Sequence, residues 1–317
     1  MTTEKIRLGV SSCLLGEKVR FDGGHKHDRF LTETLGRYVE FVPVCPEVEM
    51  GLPTPREALR LVGSEENPRL IFARSGNDIT EQMQDWADKR VKELEKEELC
   101  GFVFKSKSPS SGMERVKLYD KNGSPHTQGV GLFAKTFMTR FPLLPVEEDG
   151  RLNDPLLREN FIELIFTLNR WRKALARDQS REALIDFHMR HKLLLLAHSP
   201  DIYRQLGKLV ASGKGVTTEQ LYTNYLALMI KGMRLKPSVS KHVNVLQHIL
   251  GYFKKQLSAD EKKEMLEVID NYHTGQIPLI VPITLLNHYV RKYNQSYLQQ
   301  QFYLTPHPLE LRLRNHA

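Results

Sequence analysis

A chain of 317 residues, 40% hydrophobic and 26% charged, has an ordinary globular composition and room for two domains with separate cores. Its longest apolar run, residues 277–286, is too short for a bilayer and carries Pro278 and Pro282; the opening MTTEKIRLGV lacks the apolar region of a secretory leader, so a cytoplasmic protein is expected. The formal net charge of +8 is lopsided: residues 151–317 hold 24 Lys and Arg against 14 Asp and Glu, and residues 1–150 hold 22 against 24, which suits a polyanion gripped by the second half while the first does chemistry.

In chain order, short apolar runs at 6–10, 41–44, 70–73, 101–104 and 116–119 read as strands. Segments 29–38, 79–97 and 130–141 read as helices, the second opening on a capping-box-like Asp78-x-x-Glu81. Strands alternating with helices predict an α/β domain with a mostly parallel, doubly wound sheet, whose sites lie beyond the carboxyl ends of the strands. The stretch 142–154, PLLPVEEDGRLND, reads as a connector, with the boundary drawn between an α/β domain at 1–147 and an all-α domain at 148–317. From 155 to 301 the apolar spacing is helical almost throughout and predicts six to eight helices and no strand.

Three strand ends carry polar chemistry: KIRLGVSSC ending at Cys13, the run stopping at Cys45-Pro46-Glu47, and GFVFKSKSPSSG at 101–112. The three cysteines are odd in number and widely spaced, so in a reducing compartment they are thiols or metal ligands rather than disulfides. Thiolates gathered at one end of a sheet suit an iron–sulfur cluster or zinc; without a CxxC, each is equally readable as a small buried hydrophobe. Glu47 is either an acid/base carboxylate or a cap on a helix starting after Pro46. Arg20, Asp22 and His25 flank Gly23-Gly24, which reads as a close approach to a ligand, with Asp22 placed to read a pyrimidine edge, or as a simple turn. Lys105, Lys107 and Arg115 border the serine loop and are candidates to neutralise phosphate, and Gly129-Val130-Gly131 opens a helix where a phosphate is a further candidate.

In the second half, His188 and His191 are three apart beside Asp186, Lys192 and His198, a spacing open to metal, RNA phosphate or a buried hydrogen-bond network. Residues 220–259 contain no acid but hold Lys231, Arg234, Lys236, Lys241, Lys254 and Lys255 with Tyr252 and Phe253. Residues 271–309 also lack acids and carry Arg291 and Lys292 among Tyr289, Tyr293 and Tyr297. Cations for phosphates and rings for unpaired bases are what RNA recognition needs.

VSSCLLGEKVRFDGGHKHDRF, VPVCPEVEMGLPTPRE and FKSKSPSSGMERVKLY, in this order, resemble the signature of the TudS-type desulfidase family. RLNDPLLRENFIELIF, DFHMRHKLLLLAHSP and HVNVLQHILGYFKK resemble the YbgA-like helical domain, and the combination is similar to desulfidases acting on 4-thiouridine in tRNA. The resemblance implies a [4Fe–4S] cluster held by three cysteines, with Cys13 and Cys45 as two ligands, Glu47 as the acid/base carboxylate and Ser108 as the motif serine. Ser111 stands where the family usually has its third cysteine, and Val19 where short members often have another. For the third ligand the choices are the Ser111 oxygen, Cys100, or no cluster at all; five residues of strand, about 16 Å, set Cys100 apart. The implied reaction is hydrolytic removal of sulfur from a thiolated pyrimidine, foremost 4-thiouridine in tRNA. Loss of the cluster would leave a non-catalytic RNA-binding protein, and a third possibility is a desulfidase of free thiouracil.

Overall fold

The computed structural model describes residues 5–120, 122–212, 215 and 217–315 and divides the chain into two units, Met1–Asp154 and Pro155–Ala317. In the first unit the elements run β1 (Ile6–Ser11), β2 (Val39–Val44), α1 (Pro46–Glu49), β3 (Leu59–Gly63), β4 (Pro68–Phe72), α2 (Thr80–Leu94), β5 (Phe102–Phe104), β6 (Val116–Tyr119), β7 (Pro125–Gly129), α3 (Leu132–Arg140) and β8 (Val146–Glu148). One sheet has the order β2-β1-β5-β8 and is parallel throughout, the expected α/β arrangement. The central strand β1 is buried almost end to end because both its faces are covered. Gly9 is required there: a Cβ at this position would lie 2.2 Å from a ring carbon of Phe102. That ring joins Phe104, Phe133 and Phe137 in an aromatic core, with centroids 4.3 to 6.2 Å apart. Met83, Ala87, Val91 and Leu94 form the buried stripe of α2 at helical spacing.

A second sheet, β4-β3-β6-β7, was not expected as such; its β3/β4 and β6/β7 pairs are antiparallel and its β3/β6 pair is parallel. Three strands escape the sequence pattern. β7 is polar and exposed along most of its length, β3 is only half-buried, and β8 lies inside the stretch expected to be a connector. Residues 29–38 form a π-helical turn, Phe30–Thr34, and a 3-10 turn, Leu35–Arg37, in place of a regular helix. Asp78 does not make the expected capping box: its Oδ1 accepts from the Thr80 amide at 2.8 Å and its Oδ2 pairs with Arg69 at 2.7 Å.

The second unit holds, among the described residues, α4 (Pro155–Arg177), α5 (Arg181–His198), α6 (Pro200–Ser212), α7 (Thr218–Met233), α8 (Val239–Gly251), α9 (Ala259–His273), α10 (Ile280–Lys292) and the short α11 (Ser296–Gln299). Ser180, Thr217, Ser238 and Ser258 cap four of these helices with side-chain oxygens, Ser258 in a full capping box with Glu261. Arg314, buried near the chain end, bridges Glu159 (3.2 Å) and Glu163 (2.7 Å) of α4 and donates to the Tyr303 carbonyl. No helix among the described residues is long and apolar enough to cross a membrane.

Candidate functional site

The parallel sheet brings the carboxyl ends of β1, β2 and β5 to one edge, and beyond them lies a cavity of about 540 Å³. Cys13, Arg20, Cys45, Glu47, Lys105, Lys107, Ser108 and Ser111 all line it, so most of the first-half candidates meet there. Cys13 sits in the 3-10 turn Ser12–Leu15 directly after β1, closed by Gly16 at φ 94°, and its carbonyl accepts from the Lys26 amide at 2.9 Å. Cys45 is the N-cap of α1, where Pro46 takes the first helical position. Glu49, not Glu47, receives the Cys45 amide, at 3.0 Å.

Glu47 instead turns to the serine loop. Its Oε1 accepts from Ser110 Oγ at 2.6 Å, while its Oε2 lies 3.6 Å from Cys45 Sγ and 3.8 Å from Arg56 Nη2. The nearly buried Arg56 is fastened to the Val19 carbonyl at 3.1 Å and to Thr54 Oγ1 at 3.2 Å.

The loop after β5 is held from three sides. Lys105 donates its amide to Ser11 Oγ at 2.9 Å and its ammonium to Asp149 at 2.7 Å, and Asp149 also accepts the Ser106 amide at 2.7 Å. Glu148 accepts the Met113 amide at 2.7 Å. The start of α3 supplies the third side: the Leu132 and Ala134 amides donate to the Pro109 and Ser110 carbonyls at 3.3 and 3.2 Å, and the Gly131 amide to the Gly112 carbonyl at 2.8 Å. The expectation that Gly129-Val130-Gly131 meets a phosphate is thereby corrected, since these amides are used inside the protein. Gly131 is required because a Cβ would sit 2.5 Å from the Ser110 carbonyl. Lys107 holds φ 60° on the cavity wall, a left-handed conformation that is strained for a side-chain-bearing residue.

Burial pushes the Cys13 thiol up to about 11, with Lys105 pulling the other way. Burial, reinforced by Glu47, pushes Cys45 up to about 12. Two such thiols keep their protons at neutral pH, so neither is a ready nucleophile, and a bound metal would have to draw out the thiolates. The Ser111 hydroxyl, on a residue 4% exposed, is one of several oxygen donors in the cavity lining, with Ser12, Glu47 and Ser108 among the others. The residues present thus fit an iron–sulfur cluster with two sulfur donors and an oxygen. Cys100 does not take part: its amide donates to the Arg7 carbonyl at the opposite end of the sheet, about 13 Å of strand before the turn that carries Cys13, and its side chain is core.

Asp22 lies outside the lining, exposed, accepting the Gly24 amide at 3.0 Å and paired at 3.4 Å with Arg20, which does line the cavity. His188 and His191 are corrected: 7% and 1% exposed, they lie in the helical core and offer RNA no surface. His188 Nδ1 is 3.0 Å from the Tyr225 hydroxyl; His191 accepts from Arg170 Nε at 3.1 Å and donates to the Phe187 carbonyl at 2.7 Å. Lys192 beside them is half-buried, and Lys241 is spent on the His198 carbonyl at the end of α5, at 2.7 Å. Lys254 and Lys255 are exposed, near Tyr252, whose ring stacks on Tyr297 at 5.2 Å. The acid-free stretches are not acid-free in space, because Glu261 of α9 reaches Lys292 at 2.6 Å. The one group of three potential metal-ligating side chains close together among the described residues, Glu159, Glu163 and His307, already has its two carboxylates bridged by Arg314.

Sequence reasoning missed Arg56, Ser110, Glu148 and Asp149. Ser110 was legible as a member of the quoted serine motif; the two acids were hidden in the supposed connector.

Residues 8–149 match the family described as 2-thiouracil desulfurase, and residues 192–308 match a protein of unknown function family, DUF1722. Uncharacterized protein YbgA of Escherichia coli (strain K12) is 32% identical over 152 residues, 48% of this chain and 90% of that one. Uncharacterized protein YbbK of Bacillus subtilis (strain 168) is 31% identical over 108 residues, 32% of this chain and 71% of that one. A solved structure of the [4Fe–4S]-dependent thiouracil desulfidase TudS is 29% identical and covers 48% of this chain and 95% of its own, with a TM-score of 0.38. The chain belongs to the 2-thiouracil desulfurase family, as a member with a YbgA-like helical domain behind its desulfidase domain.

Proposed function

We propose that the protein is a cytoplasmic, [4Fe–4S]-dependent hydrolytic desulfidase that removes sulfur from a thiolated pyrimidine, with 4-thiouridine in tRNA as its substrate. The observation that carries this reading is the meeting of Cys13, Cys45, Glu47 and Ser108 around one cavity, from three strand ends far apart in sequence. Cys13 and Cys45 would hold the cluster, with Ser111 as an oxygen donor. When bound, such a cluster supplies Lewis-acidic iron to a thiocarbonyl sulfur.

The chain's own groups supply the rest. Glu47 faces the cavity and takes one proton from water as the water oxygen attacks the ring carbon; C=S is exchanged for C=O, the sulfur leaves as hydrosulfide with water's second proton, and no net electrons are needed. Ser108 orients the substrate or the water, and Arg20, Lys105 and Lys107 give the cavity positive charge for the departing sulfide or a neighbouring phosphate. Its volume of about 540 Å³ is within the range of small-molecule pockets, about 300–1,000 Å³. In the helical unit, exposed Lys254 and Lys255 and the Tyr252–Tyr297 stack form the part of the surface best suited to RNA.

Anaerobic reconstitution should give a brown protein, with the colour lost in Cys13→Ala and Cys45→Ala. Cells lacking the protein should gain 4-thiouridine in their tRNA. A folded protein that stays colourless and leaves tRNA nucleosides unchanged yet binds tRNA would support the second reading, an RNA-binding protein without a cluster, which the hydroxyl at Ser111 favours. Activity confined to free thiouracil would move the substrate from tRNA to the base.

A further inference from the structure

Ser110 is fully buried, outside the cavity lining, and makes two side-chain hydrogen bonds that link the two groups facing the reaction. It donates to Glu47 Oε1 at 2.6 Å, which commits its single proton, because a carboxylate only accepts. The 3.0 Å contact between Ser108 Oγ and Ser110 Oγ must therefore run from Ser108 to Ser110. Ser108 Oγ also accepts the Ser111 amide at 3.1 Å. Its proton and one lone pair are thus both engaged, and the remaining lone pair is available to the cavity that Ser108 lines. Ser110 cannot drift: its carbonyl accepts the Ala134 amide at 3.2 Å and lies against Gly131, where even a Cβ would not fit.

We propose that Ser110 is a positioning residue that fixes the Glu47 carboxylate and, by accepting the Ser108 hydrogen bond, leaves Ser108 as a hydrogen-bond acceptor toward the substrate. The inference rests on the desulfidase reading above. Without Ser110 the Ser108 hydroxyl is free to rotate and offer a proton where an acceptor is needed. Glu47 is then free to swing about a side chain tethered only through the more distant Arg56 and Cys45 contacts of Oε2. A pyrimidine that presents a ring N–H fits an acceptor at Ser108, whereas one with a bare ring nitrogen does not.

The test uses the iron-loaded full chain with 4-thiouridine-containing tRNA and free 4-thiouracil as probes. Ser110→Ala should lower kcat by about 10- to 100-fold while KM changes less than about twofold, and Ser110→Thr should restore most of the rate. In a Glu47→Ala background, adding Ser110→Ala should change the residual rate by less than about twofold, because the two residues act as a unit. A crystal structure of Ser110→Ala should show the Glu47 carboxylate rotated from its present position. The proposal is overturned by an unchanged kcat, by an equal loss in the Glu47→Ala background, or by loss of iron and of unfolding midpoint together with rate. If the loaded wild-type chain leaves both probes intact, the desulfidase reading fails instead, and the rotation of Glu47 in the variant crystal still decides whether Ser110 positions it.

Discussion

Asp149 Oδ2 lies 2.7 Å from the Lys105 ammonium, and through this pair the edge strand β8 holds the cavity wall in place. The same carboxylate takes the Ser106 amide, so two consecutive residues of the loop depend on one side chain from the far edge of the sheet. Burial alone would raise the Asp149 pKa; the Lys105 and Ser106 contacts outweigh it and leave the carboxyl below its usual range.

Replacing Asp149 by Ala leaves a partly buried ammonium without its partner and frees the loop, so a loss of about 2–4 kcal/mol in urea unfolding is expected, together with a fall in desulfidase rate. By sign, a carboxyl held low stabilises the fold above its unfolded pKa of about 3.9 and loses that contribution as pH falls through its folded value, so this share disappears only in strong acid. A variant as stable and as active as the parent would show that the pair does not hold the wall.

Ser111→Cys should raise iron and sulfide content after anaerobic reconstitution and slow bleaching in air, because a thiolate is a far better iron ligand than a hydroxyl. The position is buried in the cavity lining, so the larger sulfur points where the other donors already are. Equal iron content and equal bleaching in the two proteins would place the third donor elsewhere.

In the helical unit, burial and the neighbouring Glu163 push Glu159 up, while burial of Glu163 is outweighed by Arg314 and His198, which hold it down. Arg314→Ala strands two carboxylates in the core and should cost about 3–5 kcal/mol, read as a lower urea midpoint for the helical signal. Arg314→Ala paired with Glu159→Gln and Glu163→Gln should recover part of it. No recovery would mean that the loss came from the Tyr303 contacts.

Acid should loosen the helical unit before it affects the sheet. Burial pushes His188 down to about 4 and His191 well below its usual value, and His307 is likewise lowered to about 4. An unfolded chain protonates these rings below about pH 6.5 and the folded one does not until near 4, so stability falls as pH drops through that window, by up to about 3 kcal/mol for His188. His188→Gln should flatten the pH dependence of the urea midpoint between 6.5 and 4 without removing it. A variant with the parent's slope would contradict the assignment.

The part of the site legible in sequence was the part built on apolar runs that stop at a cysteine. β1 is buried on both faces, so its hydrophobicity is nearly continuous and its end unmistakable; β2, at the sheet edge, alternates buried and exposed residues but still stops at Cys45-Pro46. β7 and β8 lack that signal: one is polar and exposed, the other short and acidic, and pairing in the sheet, not local propensity, makes them strands. Asp149 and Glu148 were missed for the same reason. His188 and His191 misled because α5 mixes polar and apolar residues around its circumference: Ile185 and Met189 are exposed while the two histidines are buried, so composition does not tell a core histidine from an exposed one. The lysines of the acid-free stretches misled differently, since spatial charge depends on neighbours such as Glu261 that a linear count cannot place.

The order of strands in the parallel sheet has a consequence for biogenesis. Cys13 leaves the ribosome long before Asp149, yet it is Asp149, at the end of the first unit, that pins the loop opposite it. A nascent chain therefore exposes this thiol more than a hundred residues of synthesis before the cage around it can close, and on the proposed reading iron delivery would have to wait for the finished domain rather than accompany translation.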